Sequence, residues 1–140
     1  MEIEATQKKG AVVIAVSGRI DAVTAPEMEK NLLDWMAKGE TRFVLNFSRL
    51  EYISSAGLRA ILAAGKQLKS KEGRMVFSGL QGSVKEVFKI SGFGTVFKIF
   101  ETEEEAVRLA NDTIYGLAGA VFTSDGGKGL RVLRKLRAGI

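Results

Sequence analysis

At 140 residues, with 46% hydrophobic and 26% charged side chains, the chain has the composition of one ordinary globular domain with room for a single core. It has no cysteine and no histidine, which excludes disulfides, thiolate nucleophiles, His-based triads and the commonest zinc sites. Hydroxyls, carboxylates, lysines and arginines remain for chemistry; without cysteine or histidine no candidate nucleophile with its base can be assembled, so no catalytic residue is expected, and no cofactor or metal is assigned.

No apolar run approaches the ~20 residues of a membrane span. Met1-Glu2-Ile3-Glu4 carries acid where a signal peptide carries base. The expectation is a cytoplasmic protein without membrane contact. The net charge of +5 is uneven, because all five bases of residues 111–140 fall within 128–137, against two acids in that stretch. Such a stripe could meet nucleic acid or anionic lipid. With no aromatic residues interleaved, a solvated helix face is the favoured reading, and no direct nucleic-acid partner is expected.

In chain order, the first forty residues read as strand, turn, strand, helix. Lys8-Lys9-Gly10 is the turn, residues 11–16 form a β-branched apolar strand, and Gly18 is expected to end it. Thr24-Ala25-Pro26-Glu27 has the form of a helix start, with Thr24 as cap and Glu27 at the capping-box position. Met28, Leu32 and Trp35 recur at helical spacing before Gly39 stops the helix.

A strand follows at 42–47, then Ser54-Ser55, then a helix from about Leu58 to Lys69 with Leu58, Ile61, Leu62, Gly65 and Leu68 on one face. After the turn at Lys71-Glu72-Gly73 come a short strand at 75–77 and a helix at 83–90 carrying Val84, Val87 and Phe88. A last strand is expected at 96–100, and a helix at 102–110 with Thr102 capping and Glu105 at the capping-box position. Strands alternating with helices predict an α/β fold: a mixed sheet of four to five strands covered by helices.

The segment Tyr52-Ile53-Ser54-Ser55-Ala56-Gly57-Leu58-Arg59 lies where a strand hands over to a helix. Unpaired backbone N–H groups and the positive end of the helix dipole face outward there. A serine at this point can cap the helix or carry a phosphate that the helix end stabilises. Ser54 is the better candidate for capping alone.

Laid out this way, residues 1–110 resemble the STAS domain, the fold of bacterial anti-sigma factor antagonists. Gly18-Arg19-Ile20-Asp21 is similar to the family's turn before the first helix. Val44-Leu45-Asn46-Phe47-Ser48 resembles its central strand, where Asp often stands at the Asn46 position. Ser54-Ser55-Ala56-Gly57-Leu58 resembles its signature loop, and Ser91-Gly92-Phe93 with Phe97-x-Ile99-Phe100 and Glu105-Ala106 its C-terminal end.

The resemblance implies a partner-switching mechanism. The unphosphorylated antagonist binds an anti-sigma factor that is also a serine kinase of the histidine-kinase-like ATPase fold. Phosphorylation of a loop serine breaks that complex, and a serine phosphatase resets it. The phosphoacceptor falls on Ser55, with Asp21, Thr24, Ser54, Ala56, Gly57, Leu58 and Arg59 forming the loop and partner surface. Two departures stand out. Ser54 replaces the usual Asp, and Arg59 replaces a Gly of the best-known members, placing either a cation beside a phosphate on Ser55 or a solvated first-turn side chain. The alternative use of the same fold is an unphosphorylated scaffold or ligand-sensing module.

Beyond Ala110 the pattern changes. Ala110-Asn111-Asp112-Thr113-Ile114-Tyr115-Gly116-Leu117-Ala118-Gly119-Ala120-Val121-Phe122-Thr123 resembles a stretch of aldehyde dehydrogenases, and residues 130–140 the helix after it. No aldehyde chemistry comes with it, since those enzymes need a nucleophilic cysteine. Residues 111–140 are therefore expected to form a strand–helix extension, with a strand at 117–122 and Leu130, Leu133 and Leu136 on one helix face. About thirty residues cannot bury a core alone. The extension docks on the main domain, pairs two copies as a homodimer, or stays partly disordered.

Overall fold

The structure is a computed structural model that describes residues 1–111. Along it run β1 (Glu2–Lys8), β2 (Ala11–Ile20), α1 (Ala25–Ala37), β3 (Arg42–Ile53), α2 (Ser55–Ser70), β4 (Arg74–Ser78), α3 (Gly82–Ser91), α4 (Phe93–Val96), β5 (Lys98–Phe100) and α5 (Glu103–Ala110). The five strands form one sheet in the order β1-β2-β3-β4-β5. β1 lies antiparallel to β2 through the Lys9-Gly10 turn, and β2, β3, β4 and β5 are mutually parallel. The strand and helix extension expected from residues 112–140 lies outside the described residues.

Strand alternation divides the core between the two faces. On the front, Val12, Ile14, Val16, Phe43, Leu45, Phe47, Met75 and Phe77 are buried together with residues of α1, α2 and α3. The helical stripes are Met28, Leu32 and Met36 of α1, Ile61, Ala64 and Leu68 of α2, and Val84 and Phe88 of α3. On the back, Ala11, Val13, Val44 and Val76 meet Ala106, Val107 and Ala110 of α5. The back helix is also tied by polar contacts. Glu103 accepts from Asn46 Nδ2 at 2.8 Å and pairs with Lys8. Arg74 Nη1 donates to the carbonyls of Leu109 and Ala110 at 3.2 and 3.1 Å, which satisfies the helix C-terminus.

Four expectations need correction. Gly18 does not end β2. It sits inside the strand at φ +91°, between two register shifts against β3, a left-handed conformation that only glycine adopts without strain. The strand therefore continues to Ile20, and β3 likewise runs past Phe47 to Ile53. The last strand is shorter than 96–100. Phe93 and Phe97 both enter the core, stacking at centroid distances of 5.4 Å on Phe88 and 5.2 Å on Phe77. Their rings lie 5.7 Å apart, whereas four residues of extended strand would separate them by ~13 Å, so Phe93–Val96 winds and the strand is Lys98–Phe100. Finally, Trp35 is only half-buried beneath the Lys38 ammonium, 4.6 Å from its ring centroid, and Met36 takes the core position.

Candidate functional site

Because β2 and β3 are parallel, their ends lie side by side: Ile20 pairs with Ile53, and Ser54 N donates to Ile20 O at 2.8 Å. Two strand-to-helix junctions thus share one sheet edge, β2 into α1 and β3 into α2.

At the first junction the polar groups are consumed locally. The Asp21 carboxylate accepts from Val23 N at 3.0 Å and Thr24 N at 3.1 Å. Thr24 Oγ1 accepts from Asp21 N at 2.9 Å and lies 3.0 Å from Arg19 O and 3.2 Å from Asp21 Oδ1, donating to one at a time. These bonds hold the Asp21 carboxyl below its ordinary range, first through the Thr24 backbone N–H and then through that of Val23. The expected Thr24 cap is therefore corrected. Thr24 stands at the N-cap position with helical backbone angles and caps nothing with its side chain. Its hydroxyl is turned back to the strand end, and the Asp21 carboxylate holds the loop amides of Val23 and Thr24, ahead of the helix.

At the second junction the expected division between the serines is visible in the geometry. Ser54 is the N-cap of α2, in extended conformation, and its hydroxyl accepts from Gly57 N at 3.4 Å. Ser55 is the first residue of the helix and is exposed, and no hydrogen bond among the described residues engages its hydroxyl. Gly57 is required by packing, because a Cβ there would lie 2.7 Å from both Ile20 Cγ2 and Ile53 Cγ1. Its absence lets the helix mouth sit directly on the two strand ends.

Ala56 and Leu58 are half-buried against the core, while Arg59, one turn beyond Ser55 on the same face, is exposed. No ion pair among the described residues reaches Arg59, and the first turn of α2 has no acidic residue. Ser55 thus lies at the positive end of the helix, one turn before an exposed arginine with no ion pair among the described residues, and both favour a negative charge on its oxygen. A shallow groove between α1 and α2, floored by Ala22, Ala25, Ala56 and Ala60, opens beside it.

The structure therefore brings all eight sequence-predicted residues, Asp21, Thr24, Ser54, Ser55, Ala56, Gly57, Leu58 and Arg59, to one edge. It adds three that sequence reasoning missed. Val23 is 84% exposed at the tip of the Asp21 loop. Arg19 stacks over the Tyr52 ring, 4.1 Å from its centroid, on the flank of the same edge. A valine between an acid and a threonine in a turn was the one available signal for the first. The Arg19–Tyr52 stack depends on register and carried none. Asn46, at the position where Asp is common, serves the other face: its amide donates to Glu103 and its oxygen accepts from Ser48 N at 2.9 Å. Among the described residues no cluster of acidic side chains is arranged to hold a metal, and no helix is long and apolar enough to cross a membrane.

A mixed five-stranded sheet with this serine-bearing helix mouth defines the STAS class. The STAS domain family model matches residues 2–106, and the chain belongs to that family. A putative anti-sigma factor antagonist, BtrV of Bordetella bronchiseptica, is 38% identical over 106 residues, covering 76% of this chain and 91% of that one. The anti-sigma-B factor antagonist of Listeria monocytogenes is 29% identical over 92 residues, 66% of this chain and 81% of that one. In fold, the crystal structure of a putative anti-sigma factor antagonist from Thermotoga maritima superposes with a TM-score of 0.75 at 21% identity, covering 79% of this chain and 95% of that one. A different relationship also appears. A chloroplastic betaine aldehyde dehydrogenase of Atriplex hortensis is 50% identical over 56 residues, which is 39% of this chain but only 11% of that enzyme.

Proposed function

We propose that the protein is an anti-sigma factor antagonist whose switch is the Ser55 hydroxyl. In the unphosphorylated state the shared edge of β2–α1 and β3–α2 docks on an anti-sigma factor that is also a serine kinase of the histidine-kinase-like ATPase fold. Phosphorylation of Ser55 ends the complex, and a serine phosphatase restores it. The observation that carries this reading is the free, exposed Ser55 hydroxyl beside a serine already spent on capping.

The physics is direct. A phosphate adds close to two negative charges in the middle of a surface that a partner must pack against closely. Repulsion and desolvation of a few kcal/mol change affinity by orders of magnitude. Val23, held out on a loop that Asp21 pins, supplies an apolar contact beside the serine. The protein's own residues catalyse nothing in this scheme; it is the substrate of its partner.

The test is titration of the partner kinase against the full chain. Ser55→Ala should bind as the wild type does, and Ser55→Asp should bind at least ~100-fold more weakly, about 2.7 kcal/mol. Equal affinity of the two variants would rule out the switch. One observation favours a second reading, an unphosphorylated scaffold. Ser54 stands where the family commonly carries Asp, so a carboxylate next to the acceptor is missing. That reading expects partner binding without phosphate on Ser55.

A further inference from the structure

We propose that two copies of the protein pair through the free edge of β1, antiparallel about a two-fold axis at Ala5, so that one sheet runs across both. The pairing is independent of the switch at Ser55.

β1 pairs with β2 on one side and with no strand on the other among the described residues. The register of that pairing decides which backbone groups are free. Lys9 and Gly10 form a two-residue hairpin turn, both at positive φ, 52° and 86°. The flanking residues of such a turn, Lys8 and Ala11, are a hydrogen-bonded pair, and hydrogen-bonded pairs alternate along an antiparallel ladder. Glu2, Glu4, Thr6 and Lys8 therefore direct their N–H and C=O groups to β2, and Ile3, Ala5 and Gln7 direct theirs outward. Neither proline nor a bulge interrupts them, the condition under which an edge recruits another strand.

The edge is complementary to itself. Antiparallel pairing about Ala5 sets Glu2 opposite the second copy's Lys8, Ile3 opposite its Gln7, Glu4 opposite its Thr6 and Ala5 opposite its Ala5. The outward groups of the two copies then meet, making about six hydrogen bonds, two for each facing pair. Ile3 and Ala5 pack on the front core and are half-buried, so the second copy's Ala5 and the stem of its Gln7 cover their open flank. Glu2 and Lys8 stand on the back, and their pairs close the ladder at both ends. Lys8 already pairs with Glu103, while Glu2 has no ion pair among the described residues. Other registers lose. A slide of two residues one way sets Glu4 directly against Glu4, a repulsive pair. A slide the other way shortens the ladder and leaves Glu2 beyond it.

The arrangement is isologous, the commonest symmetry of soluble dimers. The parallel strands of the two copies run in opposite directions, so the two Ser55 edges face opposite ends of the joint sheet and stay open. A seven-residue ladder is a small interface, which makes the association reversible and dependent on concentration.

Sedimentation velocity of the full chain over a concentration series tests the proposal, comparing the wild type with Ala5→Pro and Glu2→Lys. The Ala5 N–H points outward, so proline there removes no bond to β2, and an edge strand accepts it. It deletes the central hydrogen bonds between the copies. The wild type should shift from monomer to dimer below ~0.5 mM. Ala5→Pro should raise the dimer dissociation constant at least ~10-fold with an unchanged circular dichroism spectrum. Glu2→Lys sets like charges opposite at both ends and should raise it at least ~3-fold. Glu2 is exposed, so this variant decides the matter should Ala5→Pro not fold. A wild type that stays monomeric to ~0.5 mM would overturn the proposal. So would a dimer that either folded variant leaves as tight, which places the contact elsewhere in the chain.

Discussion

The two helix mouths on the shared sheet edge are built from similar residues and do opposite things. At α1, Asp21 and Thr24 bind each other and Asp21 the loop amides of Val23 and Thr24, so that the polar atoms of both side chains are occupied. At α2, one serine caps and the next projects with its oxygen free. A polar residue at a helix start is thus not evidence of function in itself. What matters is whether its side chain has already been used by the backbone, and only Ser55 passes that test.

Ser55→Asp is expected to have the largest effect, the loss of partner affinity given above with little change in folding. Gly57→Ala is next. Its methyl would press on Ile20 and Ile53 at 2.7 Å, so chemical denaturation should show a loss of roughly 1–3 kcal/mol. Asp21→Ala removes the acceptor for two backbone N–H groups and should lower the denaturation midpoint by less than Gly57→Ala does. Partner affinity should also fall, because Val23 is no longer held. Ser54→Ala should cost about 1 kcal/mol of cap energy in the same measurement while leaving partner binding intact. A Ser54→Ala variant that lost binding and kept its stability would reverse the roles assigned to the two serines.

The smallest effect concerns acid. The folded Asp21 carboxyl titrates below its ordinary value of 3.8 because the charged form is hydrogen-bonded. Its contribution to stability is therefore complete above that value and is lost as the pH falls through the lower folded value. Glu103 behaves the same way relative to 4.5, chiefly through its bond to Lys8, so the tie between α5 and the sheet weakens over the corresponding acidic range. Carboxyl carbon shifts followed by NMR from pH 6 to 2 should show both groups titrating late. A midpoint at or above the ordinary value for Asp21 would mean that its loop is not held as described.

Much of this was legible in the sequence, for reasons that differ between regions. The order of strands and helices followed from alternation and helical periodicity, and the Ser54-to-Leu58 segment carried its own geometry because Gly57 has a packing reason to be glycine. Thr24 misled because residue type alone cannot say which acceptor wins. Its hydroxyl bonds to Asp21 N and the strand end, while Glu27 N, which a side-chain cap would have taken, goes to the Thr24 carbonyl. Gly18 misled because a glycine that ends a strand and one that bulges it look alike until the register of the neighbouring strand is known. The Arg19–Tyr52 pair could not be found locally, since its stacking depends on the β2–β3 register.

The central claim is tested most directly by mapping phosphate on the intact protein after incubation with ATP and its partner kinase. One added phosphate is expected on the wild type and on Ser54→Ala, and none on Ser55→Ala. Phosphate persisting on Ser55→Ala, or absent from a wild type that still binds the kinase, would contradict the assignment of the switch to the free hydroxyl at the mouth of α2.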